Sequence, residues 1–316
     1  MSAAMSTAMS TAMSTGDGRS AGAGTRWLVT GASGMLGTEL VRRLRSIGAE
    51  VVAADHTGLD ITDPTAVRRA LIRDQPHVVV NCAAYTSVDE AEADEGTATR
   101  VNGDGPRVLA EACATDGGRL VHISTDYVFP GDGETPWAEY APVAPTTAYG
   151  RSKLAGEQAV LETLPRHGIV VRTAWLYSVF GSNFVKTMLR LERERDTLQV
   201  VDDQYGQPTW ARDVASRLIS LGRHQTAAGV FHATAAGETT WYEFAREIFR
   251  LKGADPDRIR PIPSQASNRA ARRPAYSVLG HERWAETGID PLPDWRVSLA
   301  QAFEPSDARQ THLTSS

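Results

Sequence analysis

The chain has 316 residues, a formal net charge of −5 and 41% hydrophobic content. That length holds one large domain or two closely joined ones with a sizeable core, and the acidic balance excludes the basic face that a nucleic-acid partner needs. No apolar run approaches the ~18 residues of a membrane span, and neither the two cysteines, Cys82 and Cys113, nor the 8 histidines have metal-ligand spacing.

Residues 1–24 include "MSTAMSTAMST", a tetrad repeat of small polar residues and Met. It lacks the basic start and apolar centre of a signal peptide, so a disordered tail and a cytoplasmic location are expected. "RWLVTGASGMLGTELVRRLRSIGAEVVAAD" then predicts strand, glycine turn, helix and strand, with Leu36, Leu40, Val41 and Leu44 at helical spacing. Gly31, Gly34 and Gly37 form a G-x-x-G-x-x-G between strand and helix. Glycines let the backbone turn tightly and approach a pyrophosphate, and the helix N-terminus supplies N–H groups. Asp55 ends the second strand, 24 positions after Gly31. A carboxylate there suits the ribose hydroxyls of NADH and opposes a 2′-phosphate, which favours NADH without excluding NADPH. In "LDITD", Asp60 and Ile61 stand where a loop borders an adenine; capping a turn is an equal reading of Asp60.

A helix follows around "PTAVRRALIRDQ", then the strand "HVVVNCAA", where Cys82 reads as core. Next come the helix "GPRVLAEACATDG" and the strand "RLVHIST", where His122 reads as a strand histidine. Strands that are apolar throughout and alternate with helices indicate a parallel sheet buried on both faces. A loop rich in Pro, Gly and acids leads to the helix of "TTAYGRSKLAGE", then to the strand in "GIVVRTAWLY". Beyond residue 180, helical stretches ("NFVKTMLRLERER", "TWARDVASRLISLGR", "TWYEFAREIFRL") alternate with short strands ("LQVVDD", "GVFHAT"). The expected fold is α/β: a Rossmann-type doubly wound parallel sheet over residues 25–180, and a smaller mixed α/β substrate-binding domain over 181–304. Some segments of the latter return to the first domain, and 305–316 form a loose tail. The cleft lies at the carboxyl ends of the strands.

Tyr149 and Lys153, at i and i+4, share one helical face. Of 33 basic residues only Lys153, Lys186 and Lys252 are lysines. A tyrosine has an unperturbed pKa of about 10, and bringing it near 7 takes ~4 kcal/mol of phenolate stabilisation. A nearby ammonium, helped by a cationic nicotinamide, supplies this. Its compact head also bonds a ribose in a way that a guanidinium does not. Ser124, Thr125 and Asp126 end a buried strand at the cleft.

"TGASGMLG", "VVVNCAAYTSVDEAE", "STDYVFPG", "AYGRSKLAGE", "RTAWLY" and "DDQYGQPT" together resemble the extended short-chain dehydrogenase/reductase superfamily. Within it they resemble the dTDP-4-dehydrorhamnose reductase family, across residues 26 to 300. The resemblance implies reduction of the C4 ketone of dTDP-4-dehydro-L-rhamnose, a dTDP-4-keto-6-deoxyhexose, by NADPH or NADH. It implies that Tyr149 gives a proton to the ketone oxygen, that Lys153 lowers the Tyr149 pKa and holds the nicotinamide ribose, and that Thr125 bonds the carbonyl. Asp126 contacts the sugar, and Trp175 lies against the substrate or is a core aromatic at the domain seam. Gly31, Ser33, Gly34, Met35, Leu36 and Gly37 cradle the pyrophosphate. Asp55, Asp60 and Ile61 surround the adenosine half, and Ala83, Ala84, Tyr85 and Thr86 line the cofactor. Arg273, Pro274 and Ser277 in "RRPAYSVL" resemble a segment near the nucleotide; an exposed basic loop is the other reading.

One departure concerns assembly. Some family members dimerise through magnesium held by carboxylates of both subunits. Glu39 matches one such ligand, but Arg212 stands at the other and cannot ligate a cation. A monomer or weak homodimer without a magnesium bridge is expected, with a Glu39–Arg212 salt bridge as the substitute. Two other enzymes share the fold. Tyr127 after Asp126 argues against a dehydratase, and a 4-epimerase would hold its NAD. A 4-ketoreductase for another dTDP-deoxysugar of antibiotic biosynthesis stays open. So does a non-catalytic regulatory subunit, which need not keep Thr125, Tyr149 and Lys153 together.

Overall fold

The structure is a computed structural model that describes residues 24–266 and 269–304. The tails expected before residue 24 and after 304 lie outside the described residues. The chain begins β1 (Arg26–Thr30), α1 (Met35–Ser46), β2 (Glu50–Ala54), α2 (Pro64–Asp74) and β3 (Val78–Asn81). Two short helices, α3 (Val88–Ala93) and α4 (Glu95–Thr99), and a π-helical turn at Arg100–Asp104 lead into α5 (Gly105–Asp116). Then come β4 (Arg119–Thr125), α6 (Ala148–Thr163), β5 (Gly168–Thr173) and the short β6 (Leu176–Tyr177). The helices start where the sequence offers caps. Asp63 accepts the Thr65 and Ala66 amides before α2, and Thr147 accepts the Gly150 amide before α6.

The remainder comprises α7 (Phe184–Glu194), β7 (Leu198–Val201), β8 (Tyr205–Gly206), β9 (Thr209–Trp210), α8 (Ala211–Arg223), β10 (Gly229–His232), β11 (Thr239–Thr240), α9 (Trp241–Lys252), β12 (Ile259–Ile262) and α10 (Trp295–Phe303). Six parallel strands form the main sheet in the order β2-β1-β3-β4-β5-β10. The chain grows one way from β1 to β2 and the other way from β3 onward. The fold is Rossmann-like, with a switch point between β1 and β3, where such sheets open a ligand crevice.

The central strands are buried on both faces, as their unbroken apolar runs predict. On one face Trp27, Val29, Val80, Val121 and Val171 meet Leu40 and Leu44 of α1 and Val214 and Leu218 of α8. On the other, Leu28, Val79, Leu120 and Val170 meet α2, α5 and Val160 of α6. Strand β2 is half-exposed because it is the sheet edge. A separate core gathers Val185, Met188, Leu198, Phe244, Ile248, Trp295 and Leu299 from α7, β7, α9 and α10.

Two segments that sequence alone puts in the smaller unit belong to the main sheet. "GVFH" is its sixth strand, paired with β5, and α8 covers α1. The reason is apolar matching: Val214, Ala215 and Leu218 are fully buried there. Among the described residues, no helix is long and apolar enough to cross a membrane.

Helix α6 sits unusually close to the turn before α5. A Cβ on Gly156 would overlap the Asn102 carbonyl oxygen and press on Pro106. Overpacking of this kind costs ~1–3 kcal/mol. Gly156→Ala is therefore expected to lower the urea unfolding midpoint by an amount in that range, with the slope unchanged.

Candidate active site

The glycine turn closes the end of β1. Gly31 has φ +65°, and a Cβ there would stand 2.5 Å from the Ala83 nitrogen, so no side chain fits. Ala32 N–H donates to the Ala54 carbonyl at 3.1 Å and ties the turn to β2. Gly34 caps α1 with no side-chain bond, so the first-turn N–H groups are not covered by a capping side chain. Ser33 and Gly34 are exposed, Met35 is half-buried and Gly37 is buried. Leu36 points into the core beside Leu40, so its share in a cradle is its backbone.

Beyond β2, Asp55 Oδ1 accepts from Thr57 N (3.0 Å), Thr57 Oγ1 (2.7 Å) and Gly58 N (3.0 Å). These bonds hold its pKa below the ordinary carboxylate value, the Thr57 hydroxyl first. All three fall on Oδ1, which leaves Oδ2 for a ribose. Asp60 does what a turn cap does: it accepts the Thr62 amide at 2.9 Å and hydroxyl at 2.8 Å. The Ile61 side chain is buried against Gly105 and does not stand free to border an adenine.

Behind the turn runs a buried polar network that the sequence reading missed. Thr30 donates to Asn81 Oδ1 at 2.6 Å, and the Ala83 amide donates to the same oxygen at 3.1 Å. Asn81 Nδ2 meets His122 Nδ1 at 3.1 Å. Asn81 thus fixes where the chain leaves β3 toward Ala83, Ala84 and Tyr85, which are half-buried, and exposed Thr86. Asn102 clamps Tyr85 at both ends of its backbone (2.8 and 3.0 Å) and donates to Ser152 Oγ at 2.9 Å. Ser152 in turn donates to the Tyr149 carbonyl at 2.8 Å. The only sequence signal was an Asn interrupting the apolar run "VVVN".

Thr125, Asp126, Tyr149 and Lys153 come together at the carboxyl end of β4. Thr125 Oγ1 donates to Asp126 Oδ1 at 2.9 Å and accepts the Tyr127 amide at 3.2 Å, and the hydroxyl is close enough to Tyr149 to act on its pKa. Asp126 is buried and its Oδ2 has no hydrogen-bond partner. Burial pushes its pKa up to about 6, against the hydroxyls of Thr125 and Ser277. Burial likewise pushes Tyr149 up to about 12, with the Thr125 hydroxyl opposing and the Asp126 charge adding. Lys153 is buried, and its Nζ donates to the Ile123 carbonyl at 2.6 Å. Burial pulls its pKa down to about 8, with Glu157 opposing. The expected tuning of Tyr149 toward neutrality by Lys153 is therefore not present here. One of the three ammonium N–H groups goes to the Ile123 carbonyl, and desolvation dominates the phenol.

Trp175 follows β5 in a left-handed conformation, φ +48°, rare for a bulky residue. Its indole stacks on Trp241 with centroids 3.6 Å apart, and Gly206 lies against its edge. It stands at the seam of the smaller core. "RRPAYSVL" is not an exposed loop, since Ser277, Val278 and Leu279 are buried. Arg273 forms a two-pronged ion pair with Asp89 of α3 (2.6 and 3.0 Å), and Tyr276 N–H donates to the Gly131 carbonyl at 3.0 Å. Glu39 accepts the Ser178 hydroxyl at 2.5 Å, and the Arg212 guanidinium lies over the Trp210 ring.

A glycine turn at a switch point, with Thr, Tyr and Lys converging at the end of β4 in the same sheet, narrows the field to nucleotide-dependent enzymes of this fold. Comparison with known proteins narrows it further. Residues 25–307 match the RmlD substrate-binding domain family. A probable dTDP-4,6-dihydroxy-2-methyloxan-3-one 4-ketoreductase of Streptomyces antibioticus is 56% identical over 279 residues, covering 88% of this chain and 94% of the relative. A dTDP-4-dehydrorhamnose reductase of Streptomyces griseus is 55% identical over 282 residues, covering 88% and 93%. The solved dTDP-4-dehydrorhamnose reductase of Bacillus anthracis, in complex with NADP, superposes with a TM-score of 0.85 at 38% identity, covering 89% of this chain and 99% of that one. Sequence and fold together make this chain a member of the dTDP-4-dehydrorhamnose reductase family.

Proposed function

We propose that the protein reduces the C4 ketone of a dTDP-4-keto-6-deoxyhexose, taking dTDP-4-dehydro-L-rhamnose to dTDP-L-rhamnose, with NADPH or NADH as reductant. The observation that carries this reading is the gathering of Thr125, Tyr149 and Lys153 at the carboxyl end of β4, two strands along the sheet from the glycine turn. The relatives from Streptomyces support the substrate class, and the NADP complex of the Bacillus anthracis enzyme supports the cofactor. The main sheet serves the cofactor in this reading, and the smaller lobe holds most of the sugar nucleotide.

The residues fit a dinucleotide. Gly31 leaves no room for a Cβ, and the α1 N-terminus offers amides free of a capping side chain. Asp55 Oδ2 would meet a ribose, and the Ala83–Thr86 stretch would line the cofactor. When bound, NADPH or NADH supplies the hydride. Tyr149 then has one task, to give a proton to the C4 oxygen. A pKa pushed up to about 12 keeps that proton in place at working pH. Thr125 Oγ1 gives its one proton to Asp126 Oδ1, so the proton for the ketone comes from Tyr149. The ketone oxygen accepts it, and Lys153 offsets the phenolate left behind.

A 4-ketoreductase for another dTDP-sugar is the second reading. The Streptomyces antibioticus relative favours it, because its named substrate has one ring carbon without a hydroxyl. Both substrates put a ketone between a methyl-bearing and a hydroxyl-bearing carbon, so the reacting end is the same.

Incubation with dTDP-4-dehydro-L-rhamnose and either NADPH or NADH should oxidise the cofactor and yield one C4 epimer, read by NMR. No oxidation with this or any other dTDP-4-ketosugar would leave the non-catalytic reading standing. Tyr149→Phe should lower kcat by about 10²–10⁴-fold, the usual worth of a positioned acid, at unchanged Tm. The pH dependence has a definite sign. Lys153 is cationic below about 8, so kcat/KM should fall as pH rises through that value. The stability effect runs the other way. Between about 8 and the ordinary 10.5 the unfolded chain holds more protons, so stability rises with pH there. The buried ammonium is thus a cost at pH 7, and Lys153→Met should abolish turnover without lowering Tm.

A further inference from the structure

Helix α6 carries a third polar side chain on the stripe of Tyr149 and Lys153. Glu157 lies one turn beyond Lys153, so the three recur at i, i+4 and i+8 on one face. Its carboxylate is buried, and three donors converge on it. Ser124 Oγ reaches Oε1 at 2.5 Å, Arg172 Nε reaches Oε1 at 2.9 Å, and Arg172 Nη2 reaches Oε2 at 2.7 Å. Both members of this ion pair are almost fully enclosed, with side chains 4% and 2% exposed. Arg172 is held further by the Glu139 carbonyl and His232, each at 3.4 Å, and by the Phe129 ring.

Stability is a poor explanation for such a pair. Replacing a buried ion pair by apolar groups is often neutral or favourable. Its place suggests another. Ser124 stands between Ile123, whose carbonyl holds Lys153, and Thr125, whose hydroxyl acts on Tyr149. The groups facing Lys153 are Glu157 on its own helix, Cys82 after β3 and His122 on β4. Burial pushes the Cys82 thiol up to about 12 and His122 well down, so both are neutral at pH 7. Arg172 on β5 faces the far side of Glu157. The carboxylate is the foremost charge acting on the ammonium.

We propose that Glu157, clamped by Arg172 and Ser124, is a positioning residue for the reduction, which sets α6 against the end of β4 and keeps the Lys153 ammonium charged in its buried seat. The inference rests on the reading of Lys153 given above. It places no new group in contact with substrate or cofactor.

The test compares Glu157→Gln, the double variant Glu157→Leu/Arg172→Met, and Ser124→Ala. The double variant removes both charges together and leaves no buried charge unpaired, only the Ser124 hydroxyl without its acceptor, so it should melt near the wild-type temperature. Glu157→Gln and the double variant should each move the alkaline limb of the kcat/KM profile down by about one pH unit and lower kcat/KM at pH 7 by about tenfold. Ser124→Ala keeps both charges, so its limb should stay in place while kcat falls by a few-fold. A folded Glu157 variant with the wild-type limb and wild-type kcat overturns the inference. Lys153→Met separates this from the reading beneath it. If that variant turns over normally, the role given to Lys153 fails. If it is inactive while the Glu157 variants keep the wild-type limb, only the role of Glu157 fails.

Discussion

The docking of one face of α6 onto the last three residues of β4 organises the rest of this molecule. Tyr149, Lys153 and Glu157 lie along that face, and they meet Thr125, the Ile123 carbonyl and Ser124 in turn. A helix can present three polar side chains inward only if every one of them finds a partner. Here the strand end supplies all three within consecutive residues. Close approach makes this reachable. Gly156 lets α6 lie on the Asn102 backbone, and the Asn102 side chain carries the same contact on to Tyr85. The edge of the proposed cofactor crevice and the proposed proton donor are thus parts of one rigid piece.

Burial drives the titrating groups of this piece in opposite directions and leaves each in a useful state near neutrality. Asp126 rises to about 6 and Lys153 falls to about 8, yet at pH 7 the carboxylate is still charged and so is the ammonium. Tyr149 rises to about 12 and keeps its proton. A ketoreductase needs this set: a loaded acid and a nearby cation. The arrangement is costly. Asp126 has an oxygen with no partner in the protein, and Lys153 carries a charge while almost fully buried. Such costs persist where surrounding structure overdetermines them, and the two apolar faces of the main sheet provide that surplus.

Much of this was legible in the sequence, because some patterns have one structural solution. "VVVN", "RLVHIST" and "GIVVRT" cannot be amphipathic, so they had to be strands buried on both faces. A glycine triplet between strand and helix, and a Tyr four residues before a Lys, name their own local geometry. What escaped depends on partners far along the chain. "GVFH" reads the same whether it pairs in a small sheet or completes a large one. Asn102 meets Tyr85 and Ser152 across 17 and 50 positions, and Glu157 meets Ser124 across 33. Ile61 is a turn residue as expected, but its burial escaped because Gly105, which it packs against, comes much later. The Tyr149 pKa escaped for another reason. The Lys spacing is visible in a sequence, but the depth of burial that outweighs it is not.

The same division explains how close relatives can carry different names. Thr125, Tyr149 and Lys153, with the Glu157 clamp behind them, belong to the main sheet and its covering helix, and the proposed proton transfer draws on that part of the protein. Trp175 belongs to the seam. Its left-handed backbone is a strain of order 1–3 kcal/mol, held by the stack on Trp241 of α9 and by the Thr209 amide bonded to its carbonyl at 3.1 Å. Both holds come from the smaller lobe. If Trp175 lies against the sugar, as proposed, then the lobe sets how the ring is tilted over a fixed donor. Changes in the lobe would then alter which sugar is accepted, and which C4 epimer forms, without touching the chemistry. Two relatives at 56% and 55% identity, named for different dTDP-sugars, fit a design in which the proton donor is shared and the platform is adjusted.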